Sequence, residues 1–337
     1  MADSSTLYQK GARFRIRPHV PPEPFGGAYG PNTRPKISVW PNDVPGERVS
    51  FALQYPPMET APPPSSGHVN EHEFTITGTK TLRRIGDDGS GPGGAHVVTG
   101  YLDHNRVTPY SVPAVASKAP EYHGTWTFPV ATDQPGHQRW VRMILLQLVP
   151  GETVFDKILR ASEDGPVRYD FLPDETFRLA VLKQTFEAEI SIWWDAEVSH
   201  IDTEPRNVMV QPGGEVVLID FNQAVVHRFE KYLQHAKYLE GSHHLPCSPI
   251  ERRWPCVPGW DEFADHDGPW ARWIPKSWLD NRELAAEWVL TTWGNPTPPN
   301  KYEPLSDYFL NHPAHKERGP RLITMLEKLG RKPAGEE

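Results

Sequence analysis

At 337 residues the chain is long enough to bury a sizeable core as one bilobal unit or two domains, which excludes a small stapled scaffold. A net charge of -8 gives no long-range field favouring nucleic acid or an anionic membrane surface, and no apolar run approaches membrane-spanning length. With only Cys247 and Cys256, and no apolar leader in "MADSSTLYQKGARFRIRPHV", the expectation is a soluble intracellular protein without a disulfide framework.

The 37 prolines concentrate before about Pro129 and again between Pro246 and Pro304, so long regular elements are expected elsewhere. Residues 1–35 read as an irregular extension. "KISVW" (36–40) and "RVSFALQY" (48–55), separated by the turn-rich "PNDVPGE", predict a hairpin, and "APPPSSGHVNE" (61–71) a linker. "EFTITGT" (73–79) alternates Phe74 and Ile76 with threonines and predicts a strand, whereas Ile85 to Pro120 is punctuated by Gly and Pro and offers no helix. "GTWTF" (124–128) and "RWVRMILLQLV" (139–149) read as two strands, and "PGETVFDKILR" (150–160) as a turn and a short helix.

The strongest helix is predicted over 173–198, with Asp174 as N-cap, Glu175 in the first turn, and an apolar face through Phe177, Val181 or Leu182, Phe186, Ile190 and Trp193 or Trp194. The polar stretch "HIDTEPRNVMV" (200–210) follows it, then a short apolar strand, "EVVLIDF" (215–221). Two further helices are expected over 281–294 and 318–330, the second stopped at Gly330.

Taken alone, Asp and Asn in a loop signal only a turn. Here the spacing adds information. His200, Asp202 and Asn207 fall at the His, Asp and Asn positions of the kinase catalytic-loop pattern, and Asp220-Phe221-Asn222 stands where that pattern has Asp-Phe-Gly. Over Glu121 to Val226 the chain resembles the eukaryotic protein-kinase-like superfamily, in particular the divergent kinase-like proteins of filamentous fungi. The motifs "EYHGTWTF", "MILLQLVPGETVFDKI", "HIDTEPRNVMV" and "VVLIDFNQAVV" fall in the family's order.

The resemblance implies an α+β, bilobal protein-kinase-like fold, with a divergent β-rich N-lobe over 36–148, a mainly helical C-lobe over 149–330 and a tail over 331–337. It implies transfer of the ATP γ-phosphate to a hydroxyl acceptor, a protein Ser/Thr first, in the cytoplasm or nucleus, with no nucleic-acid or membrane partner. Asp202 would accept or orient the acceptor proton, and Asn207 and Asp220 would hold Mg²⁺ against the nucleotide phosphates, as hard oxygen ligands suit that metal. Gln147 carbonyl and Val149 amide match the strand-end groups offered to adenine. Two other readings stand beside this one. A pseudokinase would serve as a nucleotide-binding or scaffolding module, and a small-molecule phosphotransferase would share the His-x-Asp and Asn arrangement.

The family's phosphate-contacting lysine has three candidates: Lys118 in "VASK" (115–118), downstream of the glycine-rich "GSGPGG" (89–94); Lys80; or a replacement by Leu53 or Gln54 in "SFALQY". None precedes an acidic helix, and Pro92 disfavours a hairpin at the glycines. Ile201 replaces the loop arginine that would receive a phosphorylated segment. Glu204 stands where many protein kinases carry lysine and puts an adverse charge near transferring phosphate. Asn222 replaces glycine, a mild change because Asn tolerates left-handed backbone, and "SPIE" (248–251) loosely resembles the family's Ala-Pro-Glu.

Three other groupings invite a ligand. His243, His244, Cys247, Cys256 and His266 match no closed zinc spacing, and "NHPAH" (311–315) reads as a turn or helix start. Trp270, Trp273, Trp278, Trp288 and Trp293 are expected to pack a core and not to form a cage.

Overall fold

The computed structural model describes residues 10–18, 72–81, 96–102, 118–131, 138–161, 172–221, 224–227, 245–252, 268–294, 301–306, 309 and 324. The predicted 36–55 hairpin, the 61–71 linker, "GSGPGG", Asn222, Cys256, His243, His244, His266 and "NHPAH" lie outside them. So does the 318–330 helix apart from Thr324, which is helical. The chain divides into two compact units, residues 1–112 with 121–148, and residues 113–120 with 149–337. It crosses between them three times, the last time from the first to the second between Leu148 and Val149.

The first unit contains a five-stranded antiparallel sheet: β1 (Arg13–Pro18), β2 (His72–Thr81), β3 (His96–Leu102), β4 (Tyr122–Ala131) and β5 (Gln138–Leu146), in the order β3-β2-β1-β4-β5. β2, β4 and β5 match predicted strands. β1 corrects the reading of residues 1–35 as irregular throughout, because "RFRIRP" supplies the central strand. Its Phe14 and Ile16 alternate with arginines, and Ile16 is fully buried. β3 likewise emerges inside the Gly/Pro-punctuated region.

Ile16, Phe74, Trp126 and Phe128 form this unit's core, joined by Val141, Met143 and Leu145 from one face of β5. Phe14 packs on Phe128 with centroids 4.7 Å apart. The other face of β5 leaves Ile144 and Leu146 exposed, as period two requires of a strand whose alternate residues reach the core.

In the second unit, α1 (Val154–Arg160) starts at a reciprocal cap: Asp156 N–H donates to Thr153 Oγ1 at 3.0 Å, and Thr153 N–H to Asp156 Oδ2 at 3.3 Å. The long helix α2 (Glu175–Ala196) is capped by Asp174, whose Oδ1 accepts from Phe177 N–H at 3.0 Å. Val181, Leu182, Phe186 and Ile190 are buried along the predicted face, together with Ala188 and Ile192. Behind α2 lies a three-stranded ladder of β6 (Glu152–Thr153), β8 (Val208–Val210) and β9 (Val216–Leu218), in the order β6-β8-β9. Gln184 of α2 holds the β8–β9 turn with both ends of its amide, donating to Gly214 O at 3.0 Å and accepting from Val216 N–H at 3.3 Å.

Three helices complete the described part: α3 (Pro249–Arg252), α4 (Lys276–Asp280) and α5 (Arg282–Trp293). α5 is capped by Asn281. The tryptophans at 270, 273, 278 and 293 are buried with α2 and α5 in one apolar cluster, and Trp288 packs against it. Arg178 is also buried, and its guanidinium donates to the carbonyls of Trp273 and Ile274 while Trp273 Nε1 donates back to Arg178 O at 3.0 Å. Among the described residues no helix is long and apolar enough to cross a membrane.

Gly151, at φ 121°, is a backbone requirement, since an added Cβ would lie 2.2 Å from Val210 O. Gly151→Ala therefore forces the β6–β8 pairing apart. It is expected to lower stability by roughly 3 kcal/mol, read as a fall in denaturation midpoint.

Candidate functional site

Strand register brings the two polar loops together. Val208 at the start of β8 pairs with Leu218 at the end of β9, so the segment before β8 and the segment after β9 leave the ladder at the same end. A second antiparallel pair joins β7 (Val198–Ser199) to β10 (Val225–Val226), with Ser199 opposite Val225. Residues 200–207 thus run from the one ladder to the other, and residues 219–221 leave the first ladder at the same end. Further bonds close the clamp: His227 N–H donates to Glu197 O at 2.8 Å, and Ser199 Oγ lies 2.8 Å from His227 Nε2.

Within the clamp, His200 is buried, its Nε2–H donates to Ile219 O at 2.8 Å, and its ring meets Phe221 edge-on at 4.6 Å. Nδ1, also buried, has no hydrogen-bond partner among the described residues. Asn207, equally buried, ties the loops from the other side. Its Nδ2 donates to Asp202 O at 2.9 Å, its carbonyl accepts from Ile219 N–H at 2.9 Å, and its N–H donates to Glu204 O at 2.8 Å. Asp220 is thereby one residue from a direct backbone bond to Asn207, which is itself bonded to Asp202. Thr203 is anchored twice, through its hydroxyl to Glu189 of α2 and through its carbonyl to Trp270 Nε1 at 3.0 Å.

Three described non-glycine residues have left-handed backbone, and two of them flank this constellation: Ile201 (φ 52°) and Asp220 (φ 62°). For β-branched Ile201 this is a genuine steric outlier, and strain of about 1–3 kcal/mol per residue persists only where surrounding bonds over-determine it. The clamp supplies those bonds. Such outliers concentrate at functional sites, and here they lie one position before Asp202 and at Asp220 itself.

Asn207 and Asp220 each carry an oxygen of the kind a hard cation takes. With its NH₂ group engaged by Asp202 O, Asn207 has its amide oxygen as the ligating atom, and Asp220 adds an anionic oxygen. Among the described residues no three His, Cys, Asp or Glu side chains converge as a metal cluster. Mg²⁺ needs none, since one or two protein oxygens, phosphates and waters complete its shell. Cys247 is a free thiol; burial pushes it up to about 11, the Arg252 charge opposing, so it stays protonated near neutral pH.

The other predicted residues belong to other segments of the chain. Gln147 and Val149 bracket the passage between units; Gln147 N–H donates to Glu121 O at 2.7 Å, and its side chain accepts from Glu121 N–H at 3.2 Å. Lys118 is on no sheet strand. It sits in a turn of the second unit with its carbonyl accepting from Leu218 N–H at 2.8 Å, a different place from the strand that "VASK" suggests. Lys80 lies in β2.

Arg206 enters the site without having been singled out in the sequence. Its NH2 lies 3.2 Å from both carboxylate oxygens of Asp202, and its NH1 donates to Glu204. Arg206 therefore offsets one of the two negative charges that Asp202 and Glu204 bring together. The signal was the pair of opposite charges two positions apart in Glu-Pro-Arg, legible as a pair only once the 3₁₀ turn Pro205–Asn207 folds them together. Ile201, Asp202, Thr203, Glu204, Pro269 and Trp270 line a cavity of about 120 Å³ beside this pair. No protein-family model matches the chain, and no curated protein matches it in sequence.

Proposed function

We propose that the chain is an ATP-dependent phosphotransferase of the protein-kinase-like kind, with the first unit as its β-rich lobe and the second as its helical lobe, acting on a hydroxyl acceptor, protein Ser/Thr first. The observation that carries the reading is the tie through Asn207: this one buried residue bonds the backbone of the candidate base, Asp202, with its side chain, and the backbone next to the candidate metal ligand, Asp220, with its own carbonyl. Phosphoryl transfer asks a protein for placement and charge neutralisation more than for covalent chemistry.

In that role Asp202 takes the acceptor's proton as the acceptor oxygen bonds to the γ-phosphorus. The bond from phosphorus to the β–γ bridging oxygen breaks, and ADP leaves with its electron pair. Mg²⁺, when bound, neutralises charge on the β- and γ-phosphoryl oxygens. Asn207 and Asp220 orient it, and His200 holds the Asp220 segment in place through Ile219 O. The net charge of -8 supports partners other than nucleic acid, and the sparse cysteines support the cytoplasm or nucleus.

The reading is tested by calorimetric titration of the full chain with ATP, in Mg²⁺ and in excess EDTA. Binding is expected in Mg²⁺ and weaker by about tenfold or more without it; absent binding, or equal affinity in both conditions, overturns it. A second reading, a pseudokinase, is favoured by the position of Lys118 in a turn of the second unit. As a nucleotide-binding module it requires the same Mg-dependent binding with no turnover, and as a scaffolding module neither.

A further inference from the structure

We infer that Arg206 is the phosphate-facing cation of this loop, held by Glu204 and shared in the resting site with Asp202. This rests on the phosphotransferase reading above and adds a residue that the spacing of His200, Asp202, Asn207 and Asp220 does not include.

Three observations carry it. The backbone of Arg206 is fixed, because it lies in the short turn between Pro205 and Asn207, both buried. Its side chain is 40% exposed, so the guanidinium is within reach of a ligand. Its two nitrogens divide their bonds between two carboxylates, NH2 spanning both oxygens of Asp202 at 3.2 Å and NH1 on Glu204.

Distance then decides what the guanidinium can touch. A base stands about 3 Å from the oxygen whose proton it takes, and that oxygen approaches phosphorus to about 3–3.5 Å. A guanidinium in contact with both oxygens of Asp202 is therefore within one side-chain rotation of the transferring phosphoryl oxygens, for which its planar donor fork is suited.

Charge makes the same point. Asp202 and Glu204 alone would place two negative charges beside an anionic group, and Arg206 reduces this to one. When the phosphoryl group arrives, NH2 exchanges Asp202 for a phosphoryl oxygen while NH1 stays on Glu204. Asp202 is released from its ion pair at the step in which it receives the proton. Glu204 thus serves as the holder of the cation, and the cation works two positions further along the chain than the lysine of the usual loop.

The test uses the full chain, with water as acceptor in an ATP hydrolysis assay, and with Mg·ADP and the Mg complex of the β,γ-imido analogue of ATP as binding probes. Wild type is expected to prefer the triphosphate analogue. Arg206→Ala is expected to lose that preference, keep its affinity for Mg·ADP, and lose about 10²–10³-fold in kcat, with partial restoration by millimolar guanidinium ion. Arg206→Lys, which keeps a cation, is expected to retain most of the preference and serves if the alanine variant does not fold. A purely structural ion pair would leave the preference for the γ-phosphate unmoved. Unchanged preference and turnover in a folded Arg206→Ala, alongside an active wild type, overturn the role of Arg206 and leave the phosphotransferase reading standing. A wild type that neither binds nor hydrolyses Mg·ATP overturns both.

Discussion

Asp202→Asn is expected to lower turnover by about 10²–10⁴-fold while leaving Mg·ATP affinity within about twofold of wild type. The amide has nearly the shape of the carboxylate, its oxygen still accepts from Arg206, and the backbone bond from Asn207 to the carbonyl of residue 202 is untouched. Fold and loop geometry are therefore retained, and what is lost is the ability to take a proton. The partner Arg206 is 40% exposed and keeps its pair with Glu204, so stability is expected to change little. Parallel kcat, nucleotide titration and denaturation midpoints read these three quantities separately. A variant that loses nucleotide binding along with turnover would mean that Asp202 organises the loop and does not act on the acceptor.

Asp220→Asn is expected to act through the metal. Asparagine tolerates left-handed backbone, so the φ of 62° at this position adds no strain to the variant, as it would with alanine. What changes is one unit of negative charge at a hard-cation ligand. The Mg²⁺ concentration supporting half-maximal turnover is expected to rise about 10–100-fold, with kcat at saturating metal down by about 10²-fold. A titration of activity against Mg²⁺ at fixed ATP separates the two effects. An unchanged Mg²⁺ dependence would remove Asp220 from the metal site.

Local chemistry made some of the fold readable. Asp174 announces α2, Asn281 lies at the start of α5, and β4 and β5 are aromatic or β-branched runs about a Pro/Gly turn. β1 went unread because its apolar residues are only Phe14 and Ile16, set among arginines in a Pro-rich region. Its standing as a strand comes from pairing with β2 and β4, which are distant in the chain. The buried Arg178 breaks the apolar pattern of α2 for a similar reason, since the carbonyls it satisfies lie far along the sequence, at Trp273 and Ile274.

In the candidate site the order and spacing of Asp202, Asn207 and Asp220 were legible. The means by which they meet was not, because it depends on strand register at Val208–Leu218 and Ser199–Val225. Glu204 shows the limit most clearly. Read alone it is an adverse charge; in the fold it is the partner of Arg206.

The central claim is that one constellation in the second unit carries phosphoryl transfer. It is tested most directly by release or transfer of labelled γ-phosphate from Mg·ATP, measured side by side for wild type, Asp202→Asn and Asp220→Asn, with denaturation midpoints for all three. Turnover is expected of wild type and turnover at or near background of both variants, with all three proteins folded. Equal turnover in all three, or none in wild type, would contradict it.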